Sequence, residues 1–444
     1  MTLRPSPRTL KRLRRGPLTS PRLWRRRIAT WGGAVIVSLA AIAFAQAADW
    51  ATAAFHAMTA PSPWLALLLC PGGLVLSVWL TQRVFPGAQG SGIPQVIASM
   101  HLHDPAIVSR ILSLRIAAGK VVLTLLGLAS GASIGREGPT VQVSASIMQA
   151  LGTWLRLPRA EAQRALVLAG GAAGVSAAFN TPLAGVVFAI EELSHSFEAR
   201  TSGTVLTAVI ISGIATLSLV GNYAYFGSTG AQFDLGSAWL AVLVCGILGG
   251  GLGGGFSECL VRFANGQTGM MGRLFARKPL TFAACCGLAL ALIGLWTHGA
   301  TYGTGYEQAR SMVEGHDDLP AAFFLAKFAA TTISYLSGIP GGIFAPSLAV
   351  GAGLGQSLTA WLPGPAGAIV LLGMVGYFSG VVQAPITAAV IVLEMTENQK
   401  MTIPLMATSL LAYGVSRLIC RRPLYGALAR RFMQVLEKRP SPTP

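Results

Sequence analysis

Charge is scarce in this chain. Only 11% of its 444 residues are Asp, Glu, Lys or Arg, where a soluble domain carries roughly 25%. Too few charges are present to cover a soluble surface of this size, which excludes a cytosolic enzyme and a disordered chain. Acids are scarcer still, 16 in all, so a carboxylate inside an apolar run is a candidate functional group. The six cysteines (Cys70, Cys245, Cys259, Cys285, Cys286, Cys420) form no C-x-x-C pair and do not cluster with histidines. They read as small apolar packing residues, with neither a disulfide scaffold nor a metal site. There is no Gly-Lys-Ser/Thr phosphate loop, which excludes an ATP-driven pump, and no His-Glu-x-x-His, which argues against a zinc intramembrane protease.

What the chain has instead is apolar sequence. Hydrophobic residues make up 52%, with 53 glycines and a mean hydropathy of +0.59, the composition of a polytopic membrane protein whose helices pack closely. The net charge of +17 is concentrated at the two ends: residues 1–27 hold ten Lys/Arg and no acid, and residues 417–444 hold seven and one Glu. Basic flanks outside apolar spans follow the positive-inside pattern. They place both termini in the cytoplasm of a multi-pass protein of the cell inner membrane and require an even number of crossings. Nucleic-acid binding is not expected, since no nucleic-acid-reading module accompanies the arginines. The first apolar run, from Ile28 to about residue 48, follows Arg25-Arg26-Arg27 and ends near an Ala-Gln-Ala like a cleavage site. It is long enough to span a bilayer, whereas a signal core is shorter, and it reads as a first membrane helix. The expected organisation is a basic tail over 1–27, a membrane transport domain over 28–425 and a short cytoplasmic tail over 426–444.

The membrane domain repeats. Gly131, Gly135 and Pro139 frame one motif, and Gly338, Gly342 and Pro346 another, at an offset of 207 in all three cases. Pro182 to Glu191 lines up with Pro385 to Glu394 at an offset of 203. Repeat one covers about 63–222 and repeat two about 237–420. Spacing alone leaves open whether they are parallel or inverted. Matching Gly/Pro-broken segments in two halves point to an ion site near the midplane. Residues Leu151–Arg164 between apolar runs are amphipathic and read as interfacial.

Three motifs put Gly before Pro beside an apolar run: Gly90-Ser-Gly-Ile-Pro-Gln95, Gly135-Arg-Glu-Gly-Pro139 and Gly341-Gly-Ile-Phe-Ala-Pro346. Gly permits unusual backbone angles and Pro suits a first helical turn, so each reads as a helix N-terminus. Several N-termini around one cavity offer free N–H groups and positive dipole ends, an anion site without a full positive charge. Such a site can hold an anion and still release it. Glu137 lies inside the second motif, where a carboxylate would compete with the anion for the same N–H groups and, once protonated, swing away. The plainer alternative is a helix-cap acid paired with Arg136. Adjacent Glu191 and Glu192 face different directions on a helix. Because Glu394 matches Glu191 in the repeat, that pair takes a structural role, and Glu192 is the better proton acceptor. Gly249-x-Gly251-x-x-Gly254 matches a dinucleotide fingerprint in form only; with no strand before it, it reads as helix packing. His101 and His103 around Asp104 read as a solvated loop.

The three motifs, in this order, resemble the anion-site signatures of the CLC chloride channel/transporter family. The likeness runs from about residue 75 to 430 and takes in Lys120, the Ala177–Gly185 segment and Pro423-Leu424-Tyr425. It implies an all-α polytopic fold with two inverted-topology repeats of tilted, broken helices, assembled as a homodimer. It implies a central anion held by the Ser91 and Tyr425 hydroxyls and the backbone N–H of Ile343 and Phe344. It further implies that Glu137 is the external gating glutamate and Glu192 the internal proton-transfer glutamate. Ser at position 91 goes with chloride, and the fluoride-exporting branch departs at both the Ser91 and Glu192 positions. Gln95 stands where an acid is often found, and the paired C-terminal regulatory domains of many eukaryotic members are absent. The expected function is chloride/proton antiport, with chloride as substrate, no cofactor and no metal. A passive chloride channel on the same scaffold is the alternative, against which both glutamates count. An intramembrane enzyme would need a paired-Asp, Ser/His or metal constellation, and none is visible.

Overall fold

The computed structural model describes residues 21–437, apart from 103, 158–159, 195–198, 222–224, 228, 232, 234–238, 317–318 and 321. The first repeat is preceded by α1 (Pro21–Thr59) and contains α2 (Ala66–Arg83), α3 (Ile93–His101), α4 (Pro105–Ile111), α5 (Leu114–Leu128), α6 (Glu137–Trp154), α7 (Ala160–Phe179), α8 (Pro182–Phe188), a π turn (Ala189–Ser194) and α9 (Ala199–Val220). The second contains α10 (Trp239–Ala264), α11 (Gly269–Arg277), α12 (Pro279–Trp296), α13 (Tyr306–Val313), α14 (Phe323–Leu336), α15 (Phe344–Leu358), α16 (Ala366–Val382), α17 (Pro385–Thr396) and α18 (Thr402–Ile419), and α19 (Leu424–Glu437) closes the chain. No β-strand occurs among the described residues.

Proline punctuates this order. It occupies the first or second position of α3, α4, α8, α12 and α17, where its missing N–H costs no hydrogen bond. Side chains cap other starts: Asp104 accepts from Ala106 N (2.8 Å) and Ser113 from Ile116 N (3.3 Å). Among the described residues, seven helical segments are long and apolar enough to cross a membrane. The shorter apolar helices α14, α16 and α17 sit among them, and α16 is buried on nearly every side. Small residues let these helices approach. A Cβ on Gly249 would lie 2.5 Å from the Gly376 backbone and one on Gly254 3.0 Å from Ser416 Cα, so α10 packs through two of the three glycines that mimic a nucleotide fingerprint.

Reciprocal bonds relate the repeats. Glu191 accepts from Ile386 N (3.1 Å) and Thr387 N (2.6 Å), and Glu394 accepts from Leu183 N (3.1 Å) and Ala184 N (2.7 Å). Each carboxylate thus caps the other repeat's proline-started helix. Gly135 N donates to Gly342 O and Gly342 N to Gly135 O, both at 2.7 Å. When residue i of one half binds j of the other and j′ binds i′, the halves are related by a two-fold axis. The repeats face each other across that axis and are not stacked head to tail.

Some boundaries differ from the sequence expectation. The first helix runs over 39 residues, about 58 Å at 1.5 Å per residue. It overshoots the predicted run because basic and polar residues at its ends continue the helix beyond the bilayer core. Its apolar face packs on α6, α7 and α9, and Ser38 bonds Ser212 at 2.8 Å. Leu151–Arg164, read as interfacial, comprises the end of α6, a turn and the start of α7, with residues 158–159 outside the described residues. Residues 424–437 form a helix where a tail was expected, because Leu424, Tyr425 and Ala429 bury one face against the body. His101 belongs to the last turn of α3, with Nδ1 2.9 Å from Ile97 O; His103 lies outside the described residues, as do residues 1–20 of the basic tail and residues 438–444 at the other end.

Removing either capping carboxylate leaves two helix-start N–H groups without their acceptor. Glu394→Ala and Glu191→Ala should each lower stability by about 1–3 kcal/mol, read as a fall in thermal midpoint in detergent. A midpoint unchanged in both variants would show that the caps do not hold the repeats together.

Candidate anion-binding site

The three motif loops meet. Gly341 N donates to Gly90 O (3.2 Å), joining the first loop to the third, and the Gly135–Gly342 pair joins the second to the third. Each loop ends in a helix start, with Gly92, Arg136 and Ile343 as the N-terminal caps of α3, α6 and α15. The sequence expectation of helix N-termini is met at all three. The meeting is close enough that side chains are excluded. A Cβ on Gly342 would lie 3.0 Å from Gly135 O and 3.1 Å from Gly138 N.

Ser91, Ile343, Phe344, Tyr425, Glu137 and Glu192 are all buried. Ser91 projects over the first turn of α6, where a Cβ on Gly138 would run into its hydroxyl. Phe344 begins α15, and its ring stacks among Phe179 (5.9 Å), Phe188 (6.0 Å), Phe378 (4.9 Å) and Tyr425 (5.9 Å). Tyr425 enters from α19, so the C-terminal helix delivers a side chain to the centre of the fold. The Ser91 and Tyr425 hydroxyls are neighbours, yet neither makes a hydrogen bond of good geometry. Two buried, unsatisfied hydroxyls beside the start of α15, whose first N–H groups have no intrahelical acceptor, form a cluster of donors suited to a dehydrated anion.

Glu137 is fully buried at the start of α6. Its Oε2 accepts from Ala345 N of α15 at 3.5 Å, and its Oε1 accepts from the Tyr306 hydroxyl. The carboxylate therefore lies on the N-terminus of the opposite repeat's helix. Arg136 is a looser partner, with Nε 4.0 Å away. The Arg136 guanidinium instead reaches Asp49 (3.3 Å), donates to the Tyr225 hydroxyl and lies 5.7 Å over the Tyr225 and Tyr306 rings. Glu192 occupies the π turn beside Glu191, is buried, and has no hydrogen-bond partner among the described residues. Gln95 turns its amide back to donate to Gln89 O (2.7 Å), bracing the first loop.

Two buried lysines hold loop carbonyls. Lys120 Nζ donates to Gln89 O (3.2 Å) and Gly90 O (2.8 Å), and Lys327 Nζ to Thr301 O (2.9 Å) and Gly303 O (2.8 Å). Lys327 follows Lys120 at the 207 offset. Gly303-Thr-Gly-Tyr306 likewise answers Gly90-Ser-Gly-Ile93, with positive φ at Gly90 (65°) and Gly303 (68°), and at Gly92 (102°) and Gly305 (85°). Tyr306 and Lys327 were not picked out from sequence. The signals were the Gly303-Thr-Gly305 loop, which lacks the proline that marked the three motifs, and the 207 offset from Lys120. No group of three or more potential metal ligands occurs among the described residues.

Residues 72–417 match the family described as voltage gated chloride channel. The chain belongs to that family. Among CLC relatives, the H(+)/Cl(-) exchange transporter ClcA of Yersinia pestis is 32% identical over 435 residues, covering 91% of this chain and 87% of that one. The protein of the same name from Vibrio vulnificus is 31% identical over 385 residues, covering 83% and 80%. The solved structure of a slow cyanobacterial Cl-/H+ antiporter superposes with a TM-score of 0.78 at 26% identity, over 93% of this chain and 99% of that one. A CLC-type fluoride/proton antiporter shares the fold, with a TM-score of 0.78 at 24% identity and coverage of 90% and 96%.

Gly342→Ala tests the loop junction, because Gly342 has no positive φ and only the added methyl is at issue. The thermal midpoint should fall by an amount equivalent to about 1–3 kcal/mol. Gly251→Ala, whose Cβ meets nothing within 4 Å, should leave it unchanged or raise it slightly. Equal effects of the two would refute the junction.

Proposed function

We propose that this protein is a chloride/proton antiporter in which Glu137 is the gate and external proton carrier, and Glu192 the internal proton-transfer group. One observation carries the reading: the Glu137 carboxylate rests on the α15 N-terminus, on donors an anion would use. A charged Glu137 and a chloride compete there. A protonated Glu137 is a poorer acceptor and leaves the N–H groups to the ion. Proton binding and anion entry are thereby linked at one residue. The names borne by relatives at 31–32% identity favour exchange over the passive channel.

Chloride is bound by the Ser91 and Tyr425 hydroxyls and the N–H groups of Ile343 and Phe344. Neutral donors hold it without a full countercharge, so it can leave again. Glu192, a second buried carboxylate near Tyr425, exchanges the proton with the cytoplasmic side. Chloride leaving while a proton enters moves charge in one electrical sense, so exchange is electrogenic and runs on ion gradients alone. The basic ends of the chain support a multi-pass inner-membrane protein with both termini cytoplasmic. Homodimer assembly follows from the family likeness. The role is transport and not enzymatic catalysis.

The test is proton movement in sealed proteoliposomes under a chloride gradient alone, with potassium and valinomycin to carry the compensating charge. Wild type should drive protons uphill. Glu192→Gln should abolish proton movement while chloride flux persists. Chloride flux without proton movement in wild type would establish the channel instead. Ser91→Ala and Tyr425→Phe should each weaken chloride binding about three- to tenfold by calorimetry, the size of one hydrogen bond. Unchanged affinity in both would move the anion site elsewhere.

A further inference from the structure

We propose that Tyr306 is a positioning residue for the gate, its hydroxyl latching the Glu137 carboxylate onto the α15 N-terminus until a proton releases it. This rests on the reading of Glu137 as the gate. Two donors from the second repeat grip the two carboxylate oxygens separately, Tyr306 on Oε1 and Ala345 N on Oε2. A hydrogen bond to an ionised acceptor is roughly twice as strong as a neutral one. The latch therefore holds the charged carboxylate and slackens when it is protonated, which is the sense a proton-operated gate requires.

The latch is built rigidly. The Tyr306 ring packs on Tyr225 (4.3 Å) and Phe226 (5.3 Å), under the Arg136 guanidinium. Its backbone leaves Gly305 in the left-handed region, and Lys327 ties down the loop that precedes it. There a Cβ on Gly305 would lie 2.8 Å from Lys327 Cε and 2.7 Å from Ala349 Cβ of α15. Helix α13 also packs on α15, so hydroxyl and N-terminus form one surface. In the first repeat the same register holds Ile93. The hydroxyl is thus particular to the half that receives the carboxylate.

The charged and titratable groups around Glu137 are Arg136 from its own helix start, Tyr306 from α13 and Lys327 from α14. Tyr225 and Asp49 are reached through Arg136, and Tyr425 and Glu192 are the other buried titratable groups of the site. Tyr306→Phe changes none of their charges and keeps the ring. Chloride efflux from proteoliposomes should rise with acidity in wild type. Tyr306→Phe should move the half-activating pH upward by about one unit, a tenfold change in proton concentration. In a Glu137→Ala background the same substitution should change nothing. Replacing Tyr306 by a monofluorinated tyrosine, a stronger donor of the same shape, should move the midpoint downward, and this serves if the Phe variant does not fold. An unmoved midpoint, or an equal shift without Glu137, overturns the latch. Persistence of chloride-driven proton uptake in Glu137→Ala would instead overturn the gate.

Discussion

The mutual backbone pair between Gly135 and Gly342 is the constraint on which the structure depends. It joins the two loops that start α6 and α15, and it sets those helices so that each points its N-terminus past the other. Irregular backbone in the interior of a membrane protein must find its hydrogen bonds within the protein. Here each loop supplies the other's partners, at 2.7 Å in both directions. A Cβ on Gly342 would crowd the Gly135 loop, and one on Gly135 would run into the Glu137 carboxylate, so both positions carry glycine. Glu191 and Glu394 repeat the same logic farther out, each satisfying two N–H groups of the opposite repeat. The three reciprocal contacts lie along one two-fold relation and keep the helix starts in register.

The electrostatics follow from what those starts may and may not contain. The four donors of the proposed anion site are neutral: two hydroxyls and two N–H groups. The lysines stand back. Lys120 and Lys327 spend their hydrogen bonds on backbone carbonyls, and neither has a carboxylate within ion-pair distance among the described residues. Arg136 is the cation nearest the gate, and part of its charge is matched by Asp49, whose side chain is 65% exposed.

Much of this was legible in the sequence because it depends on Gly, Pro and rare acids. The three helix starts were visible as Gly before Pro. The division between Glu191 and Glu192 was visible because only one of the adjacent acids has a match at Glu394. Glu137 stood out as a carboxylate in an anion-binding break. Other parts were hidden for physical reasons. The Gly303-Thr-Gly-Tyr306 loop carries the same positive φ values as its counterpart, but with Glu307 where the first repeat has Pro94, its pattern fades. Tyr225 and Asp49 meet Arg136 from 89 and 87 residues away, a distance no local pattern spans. Tyr425 came into view only through the family likeness. That its helix packs into the body follows from tertiary burial of Leu424 and Ala429, which outweighs the basic, tail-like composition of the segment.

The residues given roles in the proposed mechanism fall where the repeats differ. Gly135 and Gly342, Lys120 and Lys327, Glu191 and Glu394 are alike and build the scaffold. Glu137 answers Phe344 at the 207 offset, Glu192 answers Met395 at 203, and Tyr306 answers Ile93. In each case one repeat has a proton-bearing or hydrogen-bonding group and the other an apolar one. The backbone differs there as well: repeat one passes into a π turn at Ala189–Ser194, whereas α17 stays α-helical through Thr396. A π turn interrupts the regular helical register and is common at functional sites, and here it holds the capping Glu191 and the buried, uncapped Glu192 side by side. Two identical halves would place a gate and an internal acid symmetrically about the ion, and a proton would have equivalent routes to either face. On the proposed function, breaking the symmetry at these pairs gives the two carboxylates unlike surroundings, and that asymmetry, imposed on a symmetric frame, is what would let opposed movements of an anion and a proton be tied to each other.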